Sequence, residues 1–416
     1  MIAIPKKKIV LLGLMSHIPV AGAAWLTAQY LIGFQRLGFD VYYVEAHGIQ
    51  PAGMLVRQPD VDSSARASQY IAGIMRRFDL EHHWAFHALH TDGRYYGMTE
   101  NQVKDLYRSA ALIVNMHGGT VPLPEHAATG RLVYLGTDPV ELEIELYHNR
   151  QETIDFLAPH CAFFTWGLNY GNPDCRMPVS ERFHFQPSPP PVVVDLWQAD
   201  SNPTRQPGVE ESLASASGYN AVTRQLGPSD TFTTVGNWRQ THRQVEFKGE
   251  VYHWSKHLEF LKFIDLPRQT RQSFELALSS YQEADQRLLE SKGWKVRDAL
   301  TFSTDLDAYR QYICRSRGEF TVAKDQNVRL RSGWFSERSA QYLAAGKPVI
   351  TQETGFSNIL PTARGLFGFS TLEEIVDAVE SINANYEQHC RAASELAREF
   401  FNYDVVLPKL LAAVGL

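Results

Sequence analysis

The chain has 416 residues, of which 44% are hydrophobic and 21% charged, enough for two domains of about 200 residues, each with its own core. Forty basic against 46 acidic side chains give a formal charge of −6, a balance that does not ask for a polyanionic partner and leaves nucleic acid as an acceptor only through a local patch. Four scattered cysteines, Cys161, Cys175, Cys314 and Cys390, form no CxxC pair, which excludes a disulfide framework and points to a reducing, cytoplasmic setting.

Lys6, Lys7 and Lys8 before an apolar run, with Ala21-Gly22-Ala23 behind it, imitate a signal peptide. His17 and Pro19 interrupt the segment and a periodic pattern follows, so it is read as part of the mature fold. No apolar run reaches the roughly 18 residues of a membrane span. Residues 8–14 predict a strand ending in a Gly/Ser/His/Pro loop. Leu26, Tyr30, Phe34 and Leu37 follow at helical spacing up to Gly38, and residues 39–45 predict the next strand. Strand, helix and strand make a βαβ unit, hence a parallel sheet whose ligands gather at the carboxyl ends of its strands.

The alternation continues with strands at 111–115, 131–137 and 162–165 and helices at 101–110 and 139–148. The loops leaving these strands carry His17, Glu45-Ala46-His47-Gly48, Asn115-Met116-His117-Gly118-Gly119 and Thr137-Asp138-Pro139, all at the functional edge of such a sheet. The PSPPP run at 187–191 cannot sit in a central strand and predicts a passage between domains near 190. After a strand or lead-in at 192–197 and a polar, Gly/Ser/Pro-rich stretch at 202–229, a second alternating series opens at 231–235. It places helices at 256–263, 282–291 and 306–314 and strands at 294–296 and 320–323, then a helix over 371–396 and a last one over 403–414. The expected domains are 1–190, 191–400 and a terminal helix, 401–416, crossing back to the first.

Residues 331–355 read RSGWFSERSAQYLAAGKPVITQETG. Ser336 is a good N-cap, Glu337 suits the first turn, Ala340, Leu343 and Ala344 share a face, and Gly346 fits the C′ position. Such a helix directs unpaired N–H groups at whatever precedes it, and with Ser339 and Arg338 it suits a diphosphate.

Two consecutive αβ units with this helix in the second resemble the GT-B fold of nucleotide-sugar glycosyltransferases, two Rossmann-like domains facing a cleft. The segment YLAAGKPVITQETG is similar to that family's donor-site helix, strand and turn, and Thr234-Val235-Gly236-Asn237-Trp238-Arg239 to the Val-Gly strand that opens its donor domain. The GWFSERSAQYLAAGKPV wording, with Phe164-Thr165-Trp166-Gly167 and Thr137-Asp138-Pro139, also resembles a bacterial glycosyltransferase-like subgroup. The resemblance implies transfer of a sugar from a nucleoside diphosphate, bound by the C-terminal domain, to an acceptor on the N-terminal one. One departure stands out. Many retaining members carry two glutamates eight residues apart, and this chain has Gly333 and Gln341 there. Glu337 shares the helix face of Gln341 and is a candidate for a ribose hydroxyl instead.

A departing diphosphate gains negative charge and needs donors. The candidates are Arg239, Lys324, Arg338 and the helix start from Ser336 to Ser339, with Glu337 kept for the ribose and the backbones of Gly22 and Gly236 also on the donor; Lys248 reads more readily as a solvated surface charge. Gln352 and Glu353, at a strand end, suit sugar hydroxyls. Trp238 and Trp334 suit stacking on a base or sugar, or packing between domains. His17 stands where inverting members keep a general base, with Asp138 or Glu45 to orient it. His117, before two glycines, resembles the histidine that meets the donor sugar in retaining members, so the stereochemical outcome stays open.

Neither an Asp-x-Asp pair nor a His/Cys cluster with ligand spacing is present, and GxGxxG and P-loop motifs are absent. No metal or cofactor beyond the nucleotide sugar is expected. The acceptor, whether natural product, glycan or nucleobase, depends on loops such as 48–64 and 87–97. An epimerase of the same fold, or a non-catalytic nucleotide- or glycan-binding protein, are the competing readings.

Overall fold

The computed structural model describes residues 5–55, 62–198, 229–240 and 243–416, so the polar stretch 202–228 and part of the 48–64 loop lie outside it. Eight strands form the first sheet: β1 (Lys8–Leu12), β2 (Asp40–Glu45), β3 (Trp84–His87), β4 (Tyr95–Tyr96), β5 (Ala110–Met116), β6 (Leu132–Gly136), β7 (Ala162–Thr165) and β8 (Phe185–Pro187). Their order is β4-β3-β2-β1-β5-β6-β7-β8, with only the β3–β4 pair antiparallel. The continuous apolar run predicts β1 because both of its faces are covered. Ile9 and Leu11 enter one core cluster and Val10 and Leu12 another. Pro187 closes β8 at the sheet edge, where a missing N–H is tolerated.

The second sheet uses β9 (Thr231–Asn237), β12 (Ser273–Ser279), β13 (Lys295–Asp298), β14 (Gly318–Thr321), β15 (Val349–Gln352) and β16 (Leu366–Phe369), all parallel, in the order β13-β12-β9-β14-β15-β16. Between β9 and β12 a hairpin of β10 (Gln244–Phe247) and β11 (Glu250–His253) turns on Lys248 and Gly249. Both have positive φ, 52° and 76°, which matches the twist of a two-residue turn. Phe247 and Tyr252 of the hairpin join Val140, Ile144 and Tyr170 of the first domain in one apolar cluster.

In each sheet the strand order reverses beside the first strand, between β1 and β5 and between β9 and β14. Loops diverge at such points and open a crevice. The crevices of the two domains face each other.

The last helix, Tyr403–Ala413, lies on the first, Ala21–Arg36. A Cβ at Gly33 would stand 2.6 Å from Leu407 Cδ1. The return is tied by Val192 N–H to Phe401 O at 2.7 Å and Tyr403 N–H to Val192 O at 3.0 Å, so the C-terminal helix does cross back to the first domain. Two expectations are corrected. Residues 371–396 form two helices, Leu372–Ala384 and Tyr386–Leu396, because Asn385 leaves helical geometry with φ −141° and ψ 48°. Residues 194–197 make a tight 3₁₀ turn, not a strand.

Candidate functional site

The facing crevices enclose a cleft of about 510 Å³. From the first domain come the loop after β1 with His17, the start of the first helix with Gly22 and Ala23, and His117 after β5. From the second come Gly236 and Asn237 after β9, Ser279 and Ser280 after β12, and Glu337 and Arg338 at the start of the Ser336-capped helix. Helix starts leave their first amides without intrahelical partners, so two such groups open on the cleft. Clefts of about 700 and 590 Å³ flank the β10–β11 hairpin. They lie away from the strand carboxyl ends.

Buried Glu45 shapes the loop after β1. It accepts from Ser16 N–H at 2.9 Å, Tyr43 O–H at 2.5 Å, His47 Nε2–H at 3.0 Å and the Ser16 hydroxyl. Ile49 N–H donates to His47 Nδ1 at 3.0 Å, so the imidazole proton is on Nε2. This network holds the loop from beneath and leaves His17 exposed at its tip. His17 Nδ1 lies 3.0 Å from Gln50 O. A carbonyl only accepts, so Nδ1 carries a proton, and in the neutral ring the lone pair is on Nε2. Neither carboxylate expected to orient His17 touches it: Glu45 serves Ser16, and Asp138 pairs with Lys324. The orienting group is the Gln50 carbonyl.

His117, at φ 62°, places its Nδ1 2.6 Å from Thr137 Oγ1. Burial pushes its pKa down to about 4, so the ring is neutral and offers hydrogen bonds, not charge.

On the donor side Ser336 Oγ accepts from Arg338 N–H at 3.2 Å, the cap that the sequence predicts, and Gly346 has φ 67° just beyond the helix. The Arg338 guanidinium turns inward. It donates to Glu319 Oε1 at 2.6 Å, Val235 O at 2.6 Å and Thr321 Oγ1 at 3.2 Å. Arg338 thus anchors the helix to the ends of β9 and β14, and the free cation nearby is another residue. Lys256 makes no ion pair among the described residues. Its Nζ sits 5.2 Å from the Trp334 ring centroid, behind the residues that line the cleft and not itself among them. Lost hydration, then the Arg338 and Lys324 charges, push its pKa down to about 7. The sequence signal was present in Trp254-Ser255-Lys256, opening an amphipathic helix soon after the Val-Gly strand. The intervening hairpin obscured it.

Of the other expected site residues, Gly22, Gly236 and Glu337 line the cleft, and Lys324, Arg239, Ser339, Gln352 and Glu353 are engaged elsewhere. Lys324 pairs with Asp138 and lies over the Trp254 ring, 3.2 Å from its centroid. Arg239 binds Asp285, its Nε 3.0 Å from Oδ2. Ser339 is fully buried. Gln352 donates to Glu259 at 2.7 Å and accepts from Ala323 N–H at 3.2 Å, and Glu353 accepts from Gly355 N–H. Trp334 packs between domains, donating to Thr137 O at 3.1 Å, and Trp238 is buried against Phe260. Lys248 is at the hairpin tip. No group of three or more His, Cys, Asp or Glu among the described residues could hold a metal ion, and no helix among them is long and apolar enough to cross a membrane.

No protein-family model matches the chain, and no curated protein matches it in sequence. Solved structures match it over nearly its full length. An alpha-glucosyltransferase in complex with UDP is 10% identical, with a TM-score of 0.57 over 98% of this chain and 99% of the other. The alpha-glucosyltransferase in complex with UDP-glucose and DNA containing an abasic site is 9% identical, TM-score 0.56, over 100% of both chains. Sucrose-phosphate synthase from Thermosynechococcus elongatus is 11% identical, TM-score 0.50, over 98% and 100%. The shared architecture is the GT-B fold.

Proposed function

We propose that the protein is a glycosyltransferase that moves a sugar from a nucleoside diphosphate, held mainly by the second domain, to a hydroxyl presented by the first. The observation that carries this reading is Lys256, a cation without a counter-ion beside the first turn of the Ser336-capped helix, at the switch point of the second sheet. A departing diphosphate supplies the missing counter-charge, and low local polarity makes that pairing strong. The amides of Gly22 and Ala23 and of the Glu337 turn approach from the two helix starts.

His17 lies on the opposite wall, with Nε2 free to take the acceptor's proton. Neutral His117 is placed to hydrogen-bond the transferred sugar. The two alpha-glucosyltransferase structures described above hold UDP or UDP-glucose, which supports a uridine donor. Lys256 and the amides meet the leaving-group charge without a metal ion, so EDTA should leave turnover unchanged. Four free cysteines fit work in the reducing cytoplasm.

The test is a panel of nucleoside diphosphates and their sugar esters, read by thermal shift, calorimetry and nucleotide release. Stabilisation by one nucleotide family and release of its diphosphate are expected. No binding and no turnover with any donor would sink the reading.

A further inference from the structure

We infer that the acceptor is a neutral small molecule whose reacting hydroxyl is carried on an apolar body, a phenol or an alicyclic alcohol. This deepens the function proposed above and rests on it. The acceptor side of the cleft is built from four loops at strand carboxyl ends, residues 13–20, 46–55, 88–94 and 117–123. Arg57 and Asp60, further along the second loop, lie outside the described residues; among the described residues of these loops the only charged ones are Asp92 and Arg94. They neutralise each other at 2.5 Å, and Arg94 also pairs with Asp62 at 2.7 Å. A polyanion acceptor needs several free Lys or Arg to meet its phosphates. The described part of this rim offers none.

What it presents is aliphatic. Each loop exposes one branched side chain: Ile18 at 45%, Ile49 at 37%, Leu89 at 38% and Val121 at 66%. Of these Ile18 lines the cleft itself, as does Leu300 of the second domain, 45% exposed. Deeper in, the first-domain wall continues with Leu14, Met15, Pro19, Val20, Ala52 and Met54.

The loops form one surface. Ala52 N–H bonds Ser16 O at 3.0 Å, Gln50 O meets His17 Nδ1, the Gln50 amide reaches His90 O at 3.5 Å, and Gly119 packs on Leu14. Ile18 and Leu300 stand at the mouth of an otherwise apolar first-domain wall, and an apolar wall with few polar groups is the usual form of a small-molecule site. Among those polar groups is His17. In the step, the acceptor oxygen bonds to the anomeric carbon, the carbon–oxygen bond to the diphosphate breaks with its electron pair leaving on the phosphate, and the acceptor proton passes to His17 Nε2.

The experiment uses the full chain with the donor that stabilises it. Acceptors are 4-methylumbelliferone, a flavonol and a steroid alcohol, set against neutral oligosaccharides and a hydroxymethylated oligonucleotide. Glycoside formation on the apolar set is expected. Ile18→Glu and Met54→Glu, on the first-domain wall of the cleft, should each raise the acceptor KM about tenfold or more while leaving UDP-induced stabilisation unchanged. Transfer to oligonucleotide or oligosaccharide with none to the apolar set would overturn the inference alone, as would donor hydrolysis with no apolar acceptor used or an unchanged KM in both variants. Absence of any donor binding would overturn the function and this inference together.

Discussion

Gly333 of the second domain is pressed against Asn169 of the first. A Cβ at Gly333 would stand 2.7 Å from Asn169 Cβ and nearer still to its backbone nitrogen. Asn169 N–H bonds Ser332 O at 3.2 Å, and its side-chain amide bonds Arg331 O at 2.9 Å. The absent glutamate of the resembled retaining enzymes therefore has a physical reason. Its position is a backbone clamp between domains, closed by the Arg331–Asp174 ion pair at 2.7 Å, and no side chain fits there.

Gly333→Ala should accordingly lower the melting temperature by several degrees. Gly333 has φ 77°, a conformation that costs a non-glycine residue roughly 1–3 kcal/mol, and the clash adds to it. Gly171→Ala is the control. That residue has φ 80° with nothing within 4 Å of an added Cβ, so it reports backbone strain alone. Equal melting-temperature losses in the two variants would show that the clamp contributes nothing.

The division of labour between the walls is tested by Lys256→Met and His17→Ala. Removing Lys256 takes away a lysine that has no ion pair among the described residues, and donor affinity should fall by about tenfold or more. Removing His17 deletes only the proton acceptor, so UDP-induced stabilisation should persist while turnover drops by about 10²–10⁴-fold. Calorimetry and nucleotide release read the two effects separately. Parallel loss of donor binding in both variants would contradict the assignment.

Lys256 also predicts a pH dependence of stability. Its pKa in the fold is pushed down to about 7, below the ordinary lysine value of about 10.4. Between these values the unfolded chain binds the extra proton, so the group makes folding more favourable as pH rises through that window. Ligand-free Lys256→Met should therefore be more stable than the parent at pH 7, with the gap closing towards pH 10. Diphosphate binding should weaken in the parent as pH rises above 7 and the ammonium is lost. Constant differences across pH 6 to 10 would show that Lys256 is ordinarily solvated.

How much of this was legible in the sequence follows from how each element is buried. The first βαβ unit and the Ser336-capped helix announce themselves, because fully covered strands read as apolar runs and caps use a few residue types. The helix Ser63–Arg77 was missed. Among its buried residues only Ile71 and Met75 are large apolar side chains; Tyr70, Ala72 and Ile74 are partly buried, and the remainder is polar or small. β12 buries Phe274, Leu276 and Leu278 by alternation, a pattern overlooked between two helical stretches. The hairpin turns on Lys-Gly, a weaker signal than Asn-Gly or Asp-Gly. In the site, residue types were read well and partners were not. Arg338 is drawn inward by Glu319, 19 positions away, and His17 is oriented by the backbone carbonyl of Gln50, 33 positions away. No local pattern records such pairings.

Glu143 carries the last prediction. Its carboxylate, 3% exposed, accepts from Val140 N–H at 2.7 Å and holds Val140 at φ 104°, an unusual conformation for a β-branched residue. The preceding Thr137 and Asp138 meet His117, Trp334 and Lys324, so Glu143 braces a loop that both domains use. Burial raises its pKa to about 7. The folded state thus holds a proton that the unfolded chain releases near 4.5, and the resulting stability is full below about 4.5 and is lost as pH rises through 7. At about 1.4 kcal/mol per unit, the span amounts to roughly 3 kcal/mol. Glu143→Gln keeps an oxygen acceptor for Val140 and removes the titration. Relative to the parent, its melting temperature should therefore climb by several degrees between pH 5 and pH 8. A difference that stays flat over that range would place the proton elsewhere.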